Sequence, residues 1–274
     1  MPFFDGAGGR VYFRHFDTRD EPIAGVIFLH GFGEHSGLYH RYAAELAAHG
    51  VAVWALDQIG HGLSDGERGD FGSFATVVDN AARLTAQAHA QFPDLPLVIA
   101  GHSVGSVGAV LAGIDAPDRY RAVVISGAPL SPLPWLPTGE RQGEAGEAFE
   151  LDPATLSADP FYLDQLENDP LAFTGADVER LLATAFPPAW ERLDADLAGI
   201  RLPILAVHGR DDQVAPLDGV IAWQDRVSGL RIEVVDDAGH DVLNEVAHAR
   251  VADLIGEFIA GTVGARPESS EVSA

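Results

Sequence analysis

The 274-residue chain has no cysteine and no lysine, and all 17 basic residues are arginine. Without cysteine there is no thiol nucleophile, no disulfide and no thiolate-held zinc or iron–sulfur cluster. Without lysine there is no Schiff base, no Ser–Lys pair and no P-loop lysine. Positive charge is scarce overall: 17 basic residues face 41 acidic ones, a formal charge of −24. Such a surface repels nucleic-acid phosphates and anionic lipid faces but not a neutral small molecule. Long apolar runs are scarce too. Leu95 to Ile114 lacks Asp, Glu and Arg over a membrane-span length, but its four glycines, His102, Ser103 and Ser106 suit a strand, a sharp turn and a buried helix better. The opening MPFFDGAGGR has no basic stretch leading into an apolar one, so no signal peptide is expected and the expected location is cytoplasmic.

What is present is a rhythm. Gly25–Leu29, Val51–Leu56, Leu97–Ala100, Ala122–Ser126, Ile204–His208 and Ile232–Val235 are short, uniformly apolar runs. Helical patterns separate them at Tyr39–His49, Phe74–Gln91, Ser106–Gly113 and Leu217–Val227, and Val246–Ile259 follows the last strand. Strands apolar throughout, rather than alternating, predict a mostly parallel sheet covered on both faces, an α/β doubly wound fold. The rhythm breaks over residues 128–199, which are rich in proline and acids and hold no clear apolar strand. The expected organisation is a core of residues 1–127 and 200–260, a helical cap insertion at 128–199 and a disordered tail at 261–274.

Gly101-His102-Ser103-Val104-Gly105 fits Gly-x-Ser-x-Gly, the sharp strand-to-helix turn that holds a serine hydroxyl exposed at a strand end. A serine nucleophile needs a base and an orienting acid. His240, in Asp237-Ala238-Gly239-His240-Asp241, follows the last strand and so lies at the same sheet end as the serine turn. The acid is sought after strand Ile204–His208, where spacing leaves Asp211 and Asp212 equally possible. The backbone N–H of Val104 and that of Phe32, in His30-Gly31-Phe32-Gly33, are the candidate oxyanion donors. Gly6-Ala7-Gly8-Gly9 reads as a turn lying before any strand. Asp57-Gln58-Ile59-Gly60-His61-Gly62 reads as a structural loop, so no metal is expected.

At this point the chain resembles the α/β-hydrolase superfamily, and within it the monoacylglycerol lipase and lysophospholipase-like, serine aminopeptidase S33-type branch. The resembling residues are His30-Gly31-Phe32-Gly33-Glu34-His35-Ser36-Gly37 with Tyr39, Asp57 with Gly60 to Gly66 and Arg68-Gly69, the Ser103 turn, His208-Gly209-Arg210-Asp211-Asp212 with Pro216, and His240 to Glu245. In the cap, Ala158-Asp159-Pro160 and Asn168-Asp169-Pro170-Leu171 also look family-like. The family pattern selects Asp212, so the implied set is Ser103, Asp212 and His240. It implies ester hydrolysis on a neutral monoacyl lipid through an acyl-serine, with no cofactor. Contact with lipid aggregates would be peripheral at most, and no nucleic acid would bind. Lysophospholipase, thioesterase, carbon–carbon hydrolase and peptidase chemistry use the same set; a non-catalytic binding protein is the remaining alternative. Trp135, Leu136, Phe161, Phe173 and Phe186 are the candidate acyl-pocket residues, drawn from a wider set that includes Tyr162 and Leu166. The chain departs from the family pattern at Gln58-Ile59, at Val104 and at Ser106, and its cap looks short between Pro137 and Glu150.

Overall fold

A computed structural model describes residues 2–134, 152–174 and 184–264. Eight strands form one sheet: β1 (Phe3–Gly6), β2 (Gly9–Phe16), β3 (Ala24–Leu29), β4 (Val51–Leu56), β5 (Leu97–His102), β6 (Val123–Ser126), β7 (Ile204–Gly209) and β8 (Leu230–Val235). Their order is β1-β2-β4-β3-β5-β6-β7-β8. The first two pairings are antiparallel and the remaining five are parallel. The expected mostly parallel, doubly wound sheet is therefore present.

Along β3 the side chains alternate between two separate cores. Ile27 and Leu29 join one cluster with Val77, Leu84, Val107 and Val110, whereas Val26 and Phe28 join another with Tyr42, Leu46, Val251 and Ile255. Both faces are buried, which is why the strands read as continuous apolar runs. Helices α1 (His40–Ala48) and α8 (His248–Gly264) cover one face; α2 (Phe74–Gln91) and α3 (Val104–Asp115) cover the other. Between β6 and β7 lie α4 (Pro153–Leu156), α5 (Pro160–Asn168) and α6 (Phe186–Asp196); α7 (Asp218–Ile221) lies between β7 and β8. Among the described residues no helix is long and apolar enough to cross a membrane. The Leu95–Ile114 run is divided between β5 and α3.

Several expectations are corrected. Gly6–Gly9 does not precede the strands; it is the bend of the β1–β2 hairpin, with Gly6 paired to Gly9. The helix expected over Leu217–Val227 is a single turn, Asp218–Ile221, followed by further turns. The terminal helix does not stop at Ile259: it runs to Gly264, so residues 261–264, expected to be disordered tail, are helical. The rest of that tail lies outside the described residues.

Candidate active site

The turn between β5 and α3 puts Ser103 at φ 51° and ψ −119°, a left-handed conformation that a side chain occupies only at a cost. The glycines on either side make the turn sterically possible. A methyl on Gly101 would sit 2.2 Å from the Gly105 carbonyl oxygen, and one on Gly105 would sit 2.0 Å from that of Leu29. Ser103 N–H donates to the Ser126 carbonyl at 2.9 Å, tying the elbow to the neighbouring strand β6. Ser106, where the family pattern has glycine, fills the space beneath. Its hydroxyl lies 2.8 Å and 2.9 Å from the carbonyls of Gly101 and Ser126 and accepts from Ser126 N–H at 3.2 Å.

His240 follows β8 and borders the same pocket as Ser103. Its Nδ1 lies 2.9 Å from Asp212 Oδ2. A carboxylate only accepts, so Nδ1 carries the hydrogen and Nε2 is left as the basic nitrogen. Of the two aspartates that spacing left open, Asp211 is exposed, and it is the buried Asp212 that meets His240. Asp212 Oδ1 accepts from the backbone of Val214 and Ala215 at 2.9 and 2.8 Å. Its Oδ2 also lies 3.0 Å from Nε2 of His208, a second imidazole that the sequence marked only as the end of a strand and whose Nε2 donates to the Ala215 carbonyl at 2.7 Å. Burial works to raise the Asp212 carboxyl, but the His240 and His208 imidazoles hold it well below the usual carboxylate range. Burial likewise works to lower His240, yet the charge and hydrogen bond of Asp212 leave its pKa raised above the ordinary 6.5.

The loop after β3 lies against this elbow. A methyl on Gly31 would stand 3.0 Å from His102 Cδ2 and 3.3 Å from Ser103 Cβ. Phe32 lines the pocket, and Val104 N–H is the first of helix α3, where the helix dipole favours negative charge. His30 anchors the loop. Its Nε2 accepts from Gln58 N–H at 2.9 Å while the Gln58 side-chain amide donates to the His30 carbonyl at 2.5 Å. Burial pushes His30 well below the usual imidazole pKa, consistent with that acceptor role. Gln58, one of the departures from the family pattern, thus serves the loop's geometry.

Of the expected pocket residues, Phe173 borders the cavity together with Phe32, Leu156, Tyr162, Leu166 and Val214. Phe161 does not: it is 47% exposed, with its ring 4.7 Å from the Arg41 guanidinium. Asp159 caps α5 by accepting from Phe161 and Tyr162 N–H, and in the resulting phase Tyr162 and Leu166 face inward and Phe161 outward. Phe186 is core instead, 1% exposed and packed edge-on against Phe74 at 5.1 Å. Trp135 and Leu136 lie outside the described residues.

Two acids that sequence reading did not single out also border the pocket. Glu34 accepts from Tyr162 and Tyr39 hydroxyls, each at 2.5 Å, and from Gly31 N–H at 2.8 Å. Asp241 Oδ2 accepts from Asn244 at 3.1 Å. With His102, they form the group among the described residues whose polar atoms lie close enough to suggest a metal, all within 4.8 Å. Both Glu34 oxygens are already taken by tyrosine hydroxyls, so the donor set fits a hydrogen-bonded acid cluster better than a metal shell. Chemically, the whole arrangement can deliver a serine hydroxyl to a carbonyl, accept its proton and bind an oxyanion.

The model of the family described as "Serine aminopeptidase, S33" matches residues 20–247. A monoacylglycerol lipase of Mycolicibacterium smegmatis is 30% identical over 269 residues, covering 93% of this chain and 95% of the relative. The monoglyceride lipase of Homo sapiens is 26% identical over 238 residues, covering 80% of this chain and 75% of the relative. The crystal structure of Paleococcus ferrophilus monoacylglycerol lipase superposes with a TM-score of 0.78 at 25% identity, over 92% of this chain and 99% of that one.

Proposed function

The chain belongs to the serine aminopeptidase S33 family, on the monoacylglycerol lipase-like branch of the α/β-hydrolases, and from that premise we propose that it is a serine ester hydrolase acting on monoacylglycerol-like neutral esters. Ser103 Oγ attacks the ester carbonyl while His240 Nε2 takes its proton, and Asp212 holds the imidazole in the required tautomer. The Val104 and Phe32 amides receive the oxyanion, each worth about 3–4 kcal/mol of transition-state stabilisation. His240 returns the proton to the leaving alcohol, then activates the water that releases the acid. Residues 128–199 act as the cap, with Phe173, Tyr162 and Leu166 toward the acyl group.

The observation that carries the reading is the left-handed Ser103 sharing a pocket with His240, whose Nδ1 is bound to Asp212. Glu34 and Asp241 in the pocket wall favour neutral substrates over phosphate-bearing lysophospholipids. Ser103→Ala is expected to abolish hydrolysis of a glycerol monoester series and labelling by a fluorophosphonate. Labelling that persists at another residue would overturn the assignment.

A further inference from the structure

Glu34 and Asp241 are 5% and 1% exposed. Four of the oxygens' contacts are donors to Glu34 or Asp241 Oδ2, but Asp241 Oδ1, fully buried, has no donor of its own among the described residues. Among those residues no arginine pairs with either carboxyl. Two buried carboxylates with polar atoms within 4.8 Å of each other repel when both are ionised, and one shared proton relieves that repulsion. The nearby imidazole does not supply a cation. His102 Nε2 is 4.0 Å from Asp241 Oδ2, and burial, its main influence, pulls its pKa down to about 4.

Resting on the ester-hydrolase reading above, we propose that Glu34 and Asp241 hold one proton, carried by Glu34, and that the charge left on Asp241 supports His240 beside Asp212. Asp241 is then a positioning residue, acting on the reaction through His240. A hydroxyl on Glu34 gives the orphan Asp241 Oδ1 its missing donor. The groups facing the pair are Tyr39, Tyr162, Asn244 and His102; those facing His240 are Asp212, His102 and Asp241. Their combined effect agrees with this placement of the proton. Burial and the neighbouring Asp241 push Glu34 well above its ordinary range. Burial also works to raise Asp241, but His102 and the hydrogen bond to Glu34 leave it lowered.

The test is the acid limb of kcat/KM on a neutral acetate ester, paralleled by the pH dependence of fluorophosphonate labelling. Asp241→Asn removes the charge and is expected to move the limb down by about one pH unit. Glu34→Gln removes no charge and is expected to leave the limb in place, whatever it does to the plateau. A limb moved by Glu34→Gln, or unmoved by Asp241→Asn, would overturn the proposal. Infrared spectroscopy of the wild-type protein supplies a readout that does not need the Asp241 variant to fold. A protonated-carboxyl stretch at neutral pH, absent from Glu34→Gln, supports the shared proton, and its absence from the wild type overturns it. Failure of the hydrolase reading shows separately, as labelling that survives Ser103→Ala.

Discussion

At the scale of single residues, the site depends on groups whose chemistry is set by what they are buried against. Asp212 holds His240 Nδ1–H and is itself held by His208 and two backbone amides. Asp212→Asn preserves the shape but presents the wrong donor to His240, so kcat should fall by about 10⁴-fold with little change in KM, measured on a neutral ester. The proposed base works only when unprotonated, and its pKa is raised. Activity should therefore be full at alkaline pH and decline as pH falls through a midpoint above 6.5. A midpoint below 6.5 would contradict the Asp212 pairing. Ser106 makes a different kind of prediction. Ser106→Ala removes a buried hydroxyl that reaches the carbonyls of Gly101 and Ser126 and the N–H of Ser126. The expected loss is about 1 kcal/mol in urea unfolding, the net worth of a typical intramolecular hydrogen bond.

At the scale of elements, one segment of the proposed cap is fastened directly to the proposed oxyanion loop. Phe173 N–H donates to the Gly33 carbonyl at 2.9 Å, and its ring meets Phe32 edge-on at 5.5 Å. Arg68 holds that segment by donating to the carbonyls of Pro170 and Ala172 and by lying 4.5 Å from the Phe173 ring; His35 adds a contact to Asp169 at 3.1 Å. Arg68→Ala should thus lower kcat about tenfold, a fraction of the 10²–10³ lost with an oxyanion donor. The loss should be equal for acetate and long-chain esters. A loss confined to long chains would mean that Phe173 serves only the acyl group. Much of this element level was legible in the sequence, because strand runs and the Ser103 turn are local patterns with local causes. The β1–β2 hairpin was not, since its strands are mostly half-buried or exposed and so carry no continuous apolar run. Phe161 was misjudged because its aromatic character says nothing of helix phase, which the Asp159 cap sets. The Glu34–Asp241 contact was hidden by the sequence separation of its partners, one on the loop after β3 and the other beside His240.

At the scale of the whole molecule, the charge of −24 becomes a statement about stability. With no lysine, the arginines form ion pairs that sit largely at the surface, such as Arg83–Asp79, Arg210–Asp236 and Arg226–Asp194. Each such pair contributes only about 0–1 kcal/mol. The excess of 24 acids is left to repel itself, which opposes the compact state. Added salt screens both effects, and here repulsion is the larger. Tm should consequently rise as NaCl goes from about 10 mM to about 0.5 M, because the screening length contracts from roughly 30 Å to a few ångström. A Tm that falls with salt would show that the surface pairs outweigh the repulsion. Buried groups are screened far less, so the same titration separates surface from interior. The difference in acid limb between wild type and Asp241→Asn should persist at high salt while Tm climbs. If that difference vanished with salt, the charge acting on His240 would lie at the surface and not on the buried pair.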